Sequence, residues 1–153
     1  MAVTAFSVVT IFALLPVGLN TAQASRRDTR AAYLAQQIIG DLRSSSFTSA
    51  VIFYRDTDNS LKPLSTPPPL DLTVASTNFL AANEQDDVVS TPVSSAQYNS
   101  GMNTVGVTYL VQVTVLPMLN NLSQVSVEVS SPAQGPVGVR SRYGFQTMIA
   151  NKD

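Results

Sequence analysis

The sequence predicts an α+β fold: a long N-terminal helix, with a membrane half and an amphipathic half, packed on an antiparallel sheet of about four strands. Three observations predict it. Ala2 to Leu19 is a run of eighteen residues without a charge. A polar, two-faced pattern follows directly, from Asn20 to about Ser44, with no loop signal between the two. Beyond residue 100, valines alternate with polar residues in the period of a half-buried strand. Helix first and antiparallel strands after is an α+β order.

The totals set limits. The chain has 153 residues, enough for one small domain plus the helix. Charged residues are 12% of it, about half the usual share, and the net charge is −1. That balance gives no argument for nucleic acid or an anionic lipid surface. There is no Cys, so disulfides and thiolate metal sites are excluded. There is no His either, which removes the commonest general base and metal ligand. With no glycine-rich phosphate loop and no acid pair in an apolar setting, the expectation is that the chain is not an enzyme and takes no cofactor.

The N-terminal segment admits three readings. As a cleaved signal peptide it has Ala22-Gln23-Ala24 before Ser25, which fits the small-x-small rule. Against this, no Lys or Arg precedes the apolar run, and the helical pattern continues through the supposed cut. As a buried core helix, eighteen apolar residues sit at the membrane threshold of about 18, and a head of this size could hardly bury them on every side. As an anchor continuing into a head, a helix from residue 1 to 44 is about 65 Å long, more than a small domain can cover. The third reading is preferred. Thr4, Ser7 and Thr10 form a narrow stripe that lets helices approach closely or bonds back to the helix carbonyls. Pro16, with Gly18 nearby, marks a kink or a melted turn.

The run MAVTAFSVVTIFALLPVGLNTAQASRRDTRAAYLAQQIIGDLRSSSF resembles the N-terminal helix of type IV pilin-like proteins, which include minor pilins and pseudopilins. Its LLPVGLNTA segment is similar to a pilin-like group of Verrucomicrobia-type gene cassettes (Verru_Chthon cassette proteins). The resemblance covers about the first 45 residues. It implies a structural subunit of a type IV pilus or a type II secretion-like filament, divided into a transmembrane or filament-core half at 1–22 and a head at 23–153. The head would hold the amphipathic helix 23–45 and a sheet over 50–150. Phe6, Ile11, Phe12, Leu14, Leu15 and Leu19 would pack against other pilin or pseudopilin subunits, with membrane lipid around them before assembly and Pro16 as the flexible point. The implied location is the inner membrane, single-pass with the head outside the cytoplasm, and then a periplasmic or extracellular filament.

The chain departs from that family. Members open with a basic leader ending in Gly, then Phe and, shortly after, a Glu, and none of these is present. Met1 falls just past where that Glu belongs, so the expectation is a start internal to a longer precursor. Arg26, Arg27 and Arg30 follow the apolar run, which by itself would place the head in the cytoplasm; a basic leader would reverse this. The alternative reading is an exported or membrane-anchored cell-envelope module for binding or adhesion.

The remaining elements follow in order. Leu34, Ile38, Ile39 and Leu42 form the helix face to be covered, and Ser44-Ser45-Ser46 ends the helix by competing for its backbone. Residues 50–55 read as a strand and Leu61–Leu64 as a short one, with Asp56, Asp58 and Ser60 between them. Those three alternate as calcium ligands do, but Leu61 stands where the loop needs Gly and Pro67 where it needs Glu; a hairpin turn is the better reading. From Pro67-Pro68-Pro69 to about Asn103 the chain reads as a long irregular crossing with one possible strand, Leu70–Ala75, and a solvated acidic group at Glu84, Asp86 and Asp87. Val105 to Val115 at alternate positions, then Val125, Val127 and Val129, then Tyr143, Phe145, Thr147 and Ile149 predict three strands, with turns at 117–121 and 132–138. Arg140 and Arg142 could bind an anion or DNA, but two arginines without an aromatic platform read better as an edge-strand guard.

Overall fold

The computed structural model describes residues 2–151 apart from positions 57, 66, 86 and 120, with side chains from residue 21 onward. Helix α1 runs Ala2–Ser44. Strands β1 (Phe53–Arg55) and β2 (Leu61–Pro63) make a two-stranded ribbon. Strands β3 (Ser76–Ala82), β4 (Val88–Val89), β5 (Tyr109–Met118), β6 (Leu122–Ser131) and β7 (Ser141–Ala150) form one antiparallel sheet in the order β4-β3-β5-β6-β7. A short helix α2 (Ser95–Ser100) lies on the crossing between β4 and β5. The chain divides into two compact units, one ending at Arg30 and one running from Ala31.

The expected fold is overturned on two counts. The chain is mostly antiparallel sheet, five strands in one sheet and two in another, rather than a helix on about four strands. Among the described residues, no helix is long and apolar enough to cross a membrane. The part of α1 with described side chains, Thr21–Ser44, carries Arg26, Arg27, Asp28, Arg30, Asp41 and Arg43, which no apolar span accommodates. The apolar run expected to form the membrane half lies outside the residues whose side chains are described.

In the unit from Ala31 onward, the core is built by two periodicities meeting. Ala31, Leu34, Ala35, Ile38 and Leu42 recur at helical spacing and are fully buried. They share one cluster with Val111, Val113 and Val115 of β5 and Val125, Val127 and Val129 of β6, the period-two faces of neighbouring strands. Register confirms the shared face, since Val113 pairs with Val127 and Val127 with Phe145. Helix α1 ends as the serine run predicts: the Ser44 and Ser45 hydroxyls donate to the Asp41 carbonyl at 3.0 and 2.8 Å. The Asp41 carboxylate accepts the Phe53 amide at 3.1 Å, tying the last turn of α1 to β1. Burial raises this carboxyl above its ordinary value, and the Phe53 amide opposes the rise.

Several boundaries differ from expectation. Strand β5 starts at Tyr109 because Gly106, at φ 84°, turns the chain and breaks the alternation; Val105 is fully exposed instead of joining the apolar face. Leu70–Ala75 is no strand: Leu70 makes a single bridge to Ala50, and β3 begins after it, at Ser76. Strand β4 and helix α2 lie within what reads as an irregular crossing.

Candidate functional site

The outward face of the sheet carries the chain's main polar constellation, beneath α2. Helix α2 is set by a capping box: the Ser94 hydroxyl accepts the Gln97 amide at 3.2 Å, and the Gln97 side chain accepts the Ser94 amide at 2.8 Å. This fixes Tyr98 on the face turned to the sheet, where it is buried. Its ring lies 4.9 Å from that of Phe79, and the Arg140 guanidinium carbon lies 4.8 Å from the ring centre.

Arg140 is 5% exposed, so its charge is satisfied from within. One terminal nitrogen donates to the Ser130 hydroxyl at 3.0 Å, and the other donates to the Tyr98 carbonyl. The Ser130 hydroxyl in turn donates to the Leu110 carbonyl at 3.0 Å. Arg140 Nε has no partner. The Tyr98 hydroxyl donates to the Glu128 carboxylate at 2.9 Å, and Arg142 approaches that carboxylate at 3.6 Å. Period two puts Glu128 and Ser130 on the face opposite Val127 and Val129.

The electrostatics say what this group can do. Burial, helped by the Glu128 carboxylate, pushes the Tyr98 phenol up to about 12. At neutral pH it is therefore a fixed hydrogen-bond donor rather than a base or nucleophile. Burial lowers the Arg140 guanidinium from its ordinary value, while Tyr98 and Glu128 favour its charged form. The arrangement is a clamp: a planar cation stacked under a ring, holding α2 to the sheet. Gly101 closes it from the other end. At φ 92° it brings the chain so close to Gly135 that an added Cβ would stand 2.3 Å from that residue's carbonyl oxygen.

Beside the clamp lies an open groove of about 670 Å³. Its lining includes the amides of Asn83, Gln85, Asn103 and Gln134 and the hydroxyls of Thr91, Thr104 and Thr108, with Glu84 as an acidic member. Neutral donors and acceptors of this kind suit a neutral polar ligand, bound by hydrogen bonds rather than by charge.

The residues singled out from sequence fall elsewhere. Phe6, Ile11, Phe12, Leu14, Leu15, Pro16 and Leu19 lie outside the residues whose side chains are described. Asp58 accepts the Ser60 amide at 3.0 Å and its hydroxyl, and both bonds lower its carboxyl below the ordinary value. Lys62 pairs with Asp56, and Asn59 at φ 65° completes the turn between β1 and β2. Among the described residues, no group of three or more His, Cys, Asp or Glu stands close enough to hold a metal. Asp87 of the acidic group pairs with Arg55 at 3.1 Å, and Asp86 lies outside the described residues. Arg140, expected as an edge guard, is instead buried under α2, because the strand it was assigned to begins one residue later. Sequence reasoning passed over Tyr98 and Glu128, although Ser94-x-x-Gln97 is a capping signature that would have found α2.

No protein-family model, curated protein or solved structure matches the chain.

Proposed function

We propose that the chain is a structural subunit, a minor pilin or pseudopilin, of a type IV pilus or type II secretion-like filament. The observation that carries this reading is α1: one helix, Ala2–Ser44, begins in a run of eighteen uncharged residues and ends in the stripe that packs on the sheet. An apolar run of that length needs partners, and like runs of neighbouring subunits supply them through close helix packing. In this reading the subunit is held at the inner membrane before assembly, with its head outside the cytoplasm, and then in a periplasmic or extracellular filament. The head serves as a displayed wall rather than a catalyst, in keeping with a phenol and a guanidinium locked together on its outward face.

The test is Ile11→Asp, which puts a charge into the uncharged run. Co-assembly with like subunits is expected to be lost, while the circular dichroism and thermal midpoint of the head stay unchanged. Retained assembly would refute the reading.

The amide-lined groove favours a second reading, an exported binding or adhesion module of the cell envelope. N-terminal sequencing of natural material separates the two. A chain beginning at Ser25 supports the binding module, and retention of residues 2–24 supports the filament subunit.

A further inference from the structure

The five-stranded sheet has two unlike edges. At one, β4 is only two residues long, and the Arg55–Asp87 ion pair links the β1–β2 ribbon to the turn that precedes it. Short strands and covering loops are the usual means of blunting an edge. At the other, β7 runs for ten residues and pairs only with β6 among the described strands. It has no proline, no lysine and no break in register. Its single charge, Arg142, is occupied by Glu128 at 3.6 Å.

The Asn151 amide donates to the Asn121 carbonyl at 2.8 Å, and this fixes the phase of the β6–β7 ladder. Hydrogen-bonded pairs alternate in an antiparallel ladder, so residues 141, 143, 145, 147 and 149 bond to β6. Arg142, Gly144, Gln146, Met148 and Ala150 then turn their N–H and C=O groups outward.

We propose that this edge docks a second copy of the chain, the two β7 strands pairing antiparallel about a two-fold axis through Gln146. That axis alone engages all five outward residues. Gln146 faces Gln146 of the second copy, Gly144 faces Met148, and Arg142 faces Ala150, giving about ten new backbone hydrogen bonds. The charges fit. Each Arg142 meets a neutral alanine, and the two arginines stand about 27 Å apart, beyond the range of screened repulsion. The shapes fit too. No atom lies within 4 Å of a Cβ built on Gly144, which leaves space for the half-exposed Met148 of the other copy. On the opposite face, a groove of about 540 Å³ runs between Arg43–Phe47 and Ile149–Asn151, and the register sets Tyr143 of the second copy across from Ile149 at its mouth. The product is a ten-stranded sheet with an isologous joint.

The full chain, which lacks cysteine, tests this directly. Gln146→Cys is expected to give a covalent dimer with a short thiol-reactive cross-linker at least tenfold faster than Thr77→Cys, on the same face but on β3. Gln146→Pro removes an outward N–H and, besides it, only a long, exposed side-chain bond from Gln124 at 3.4 Å, so the cross-strand dimer should weaken more than tenfold with the thermal midpoint unchanged. If the proline lowers that midpoint, Gln146→Lys replaces it: two like charges then meet on the axis, and the same loss is expected. Equal cross-linking rates, or a dimer indifferent to these changes, would overturn the proposal. Association through residues 2–19 would survive all of them, so the filament reading stands or falls separately.

Discussion

The two faces of the sheet are built on different principles. The face under α1 is mostly volume: alanine, leucine, isoleucine and valine fill it together with Phe47 and Tyr109, and the larger of the two apolar clusters among the described residues lies there. The face under α2 has a smaller apolar cluster around Tyr98 and Leu110, completed by a buried cation and its hydrogen bonds. Apolar packing is tolerant of direction, whereas a stacked guanidinium requires its acceptors in place. The first face should therefore govern global stability and the second local order.

The largest expected effect is on the α1 face. Ile38 is fully buried, and Ile38→Ala should lower stability by about 2–5 kcal/mol, read as a reduced denaturant midpoint with all probes moving together. A variant that melts α1 while leaving the sheet intact would break the comparison. Arg140→Met is next. It removes the stacked cation and its two donors, with an expected loss of about 2–3 kcal/mol. Its signature is local: amide exchange should accelerate at Gln97, Tyr98 and Gly101 before it does at Val127.

The smallest effect is the pH dependence from Tyr98. The fold favours the neutral phenol, raising it from 10.0 to about 12. Stability from this group is thus complete below pH 10 and falls as pH rises toward about 12, where the unfolded chain ionises first. Tyr98→Phe should cost about 1 kcal/mol at neutral pH and flatten that alkaline decline, measured by denaturant titration across the range.

The faces also differ in how legible they are. The α1 face could be read from residue types alone, because helical spacing at Leu34, Ile38 and Leu42 and alternation at Val111–Val115, Val125–Val129 and Tyr143–Ile149 are one-dimensional records of burial. Strand β3 left no such record. Ser76–Ala82 is rich in small and polar residues with weak strand preference, and only its pairing with β5 makes it a strand. The clamp was hidden for a further reason: Tyr98, Glu128 and Arg140 are 30 and 12 residues apart, and no local pattern links them. Arginine near a strand start is usually a surface residue, and here the partners that allow its burial come from α2.

The contact between Gly101 and Gly135 has a mechanical consequence. Two loops at the same end of the sheet, residues 101–108 leading into β5 and residues 132–140 joining β6 to β7, touch backbone to backbone there, and the Met102 amide donates to the Ala133 carbonyl at 2.8 Å just beyond. Neither loop can lift alone. The segment carrying α2 and the connection into β7 are tied together, so a pull on one is passed to the other through a weld too narrow for even a methyl group.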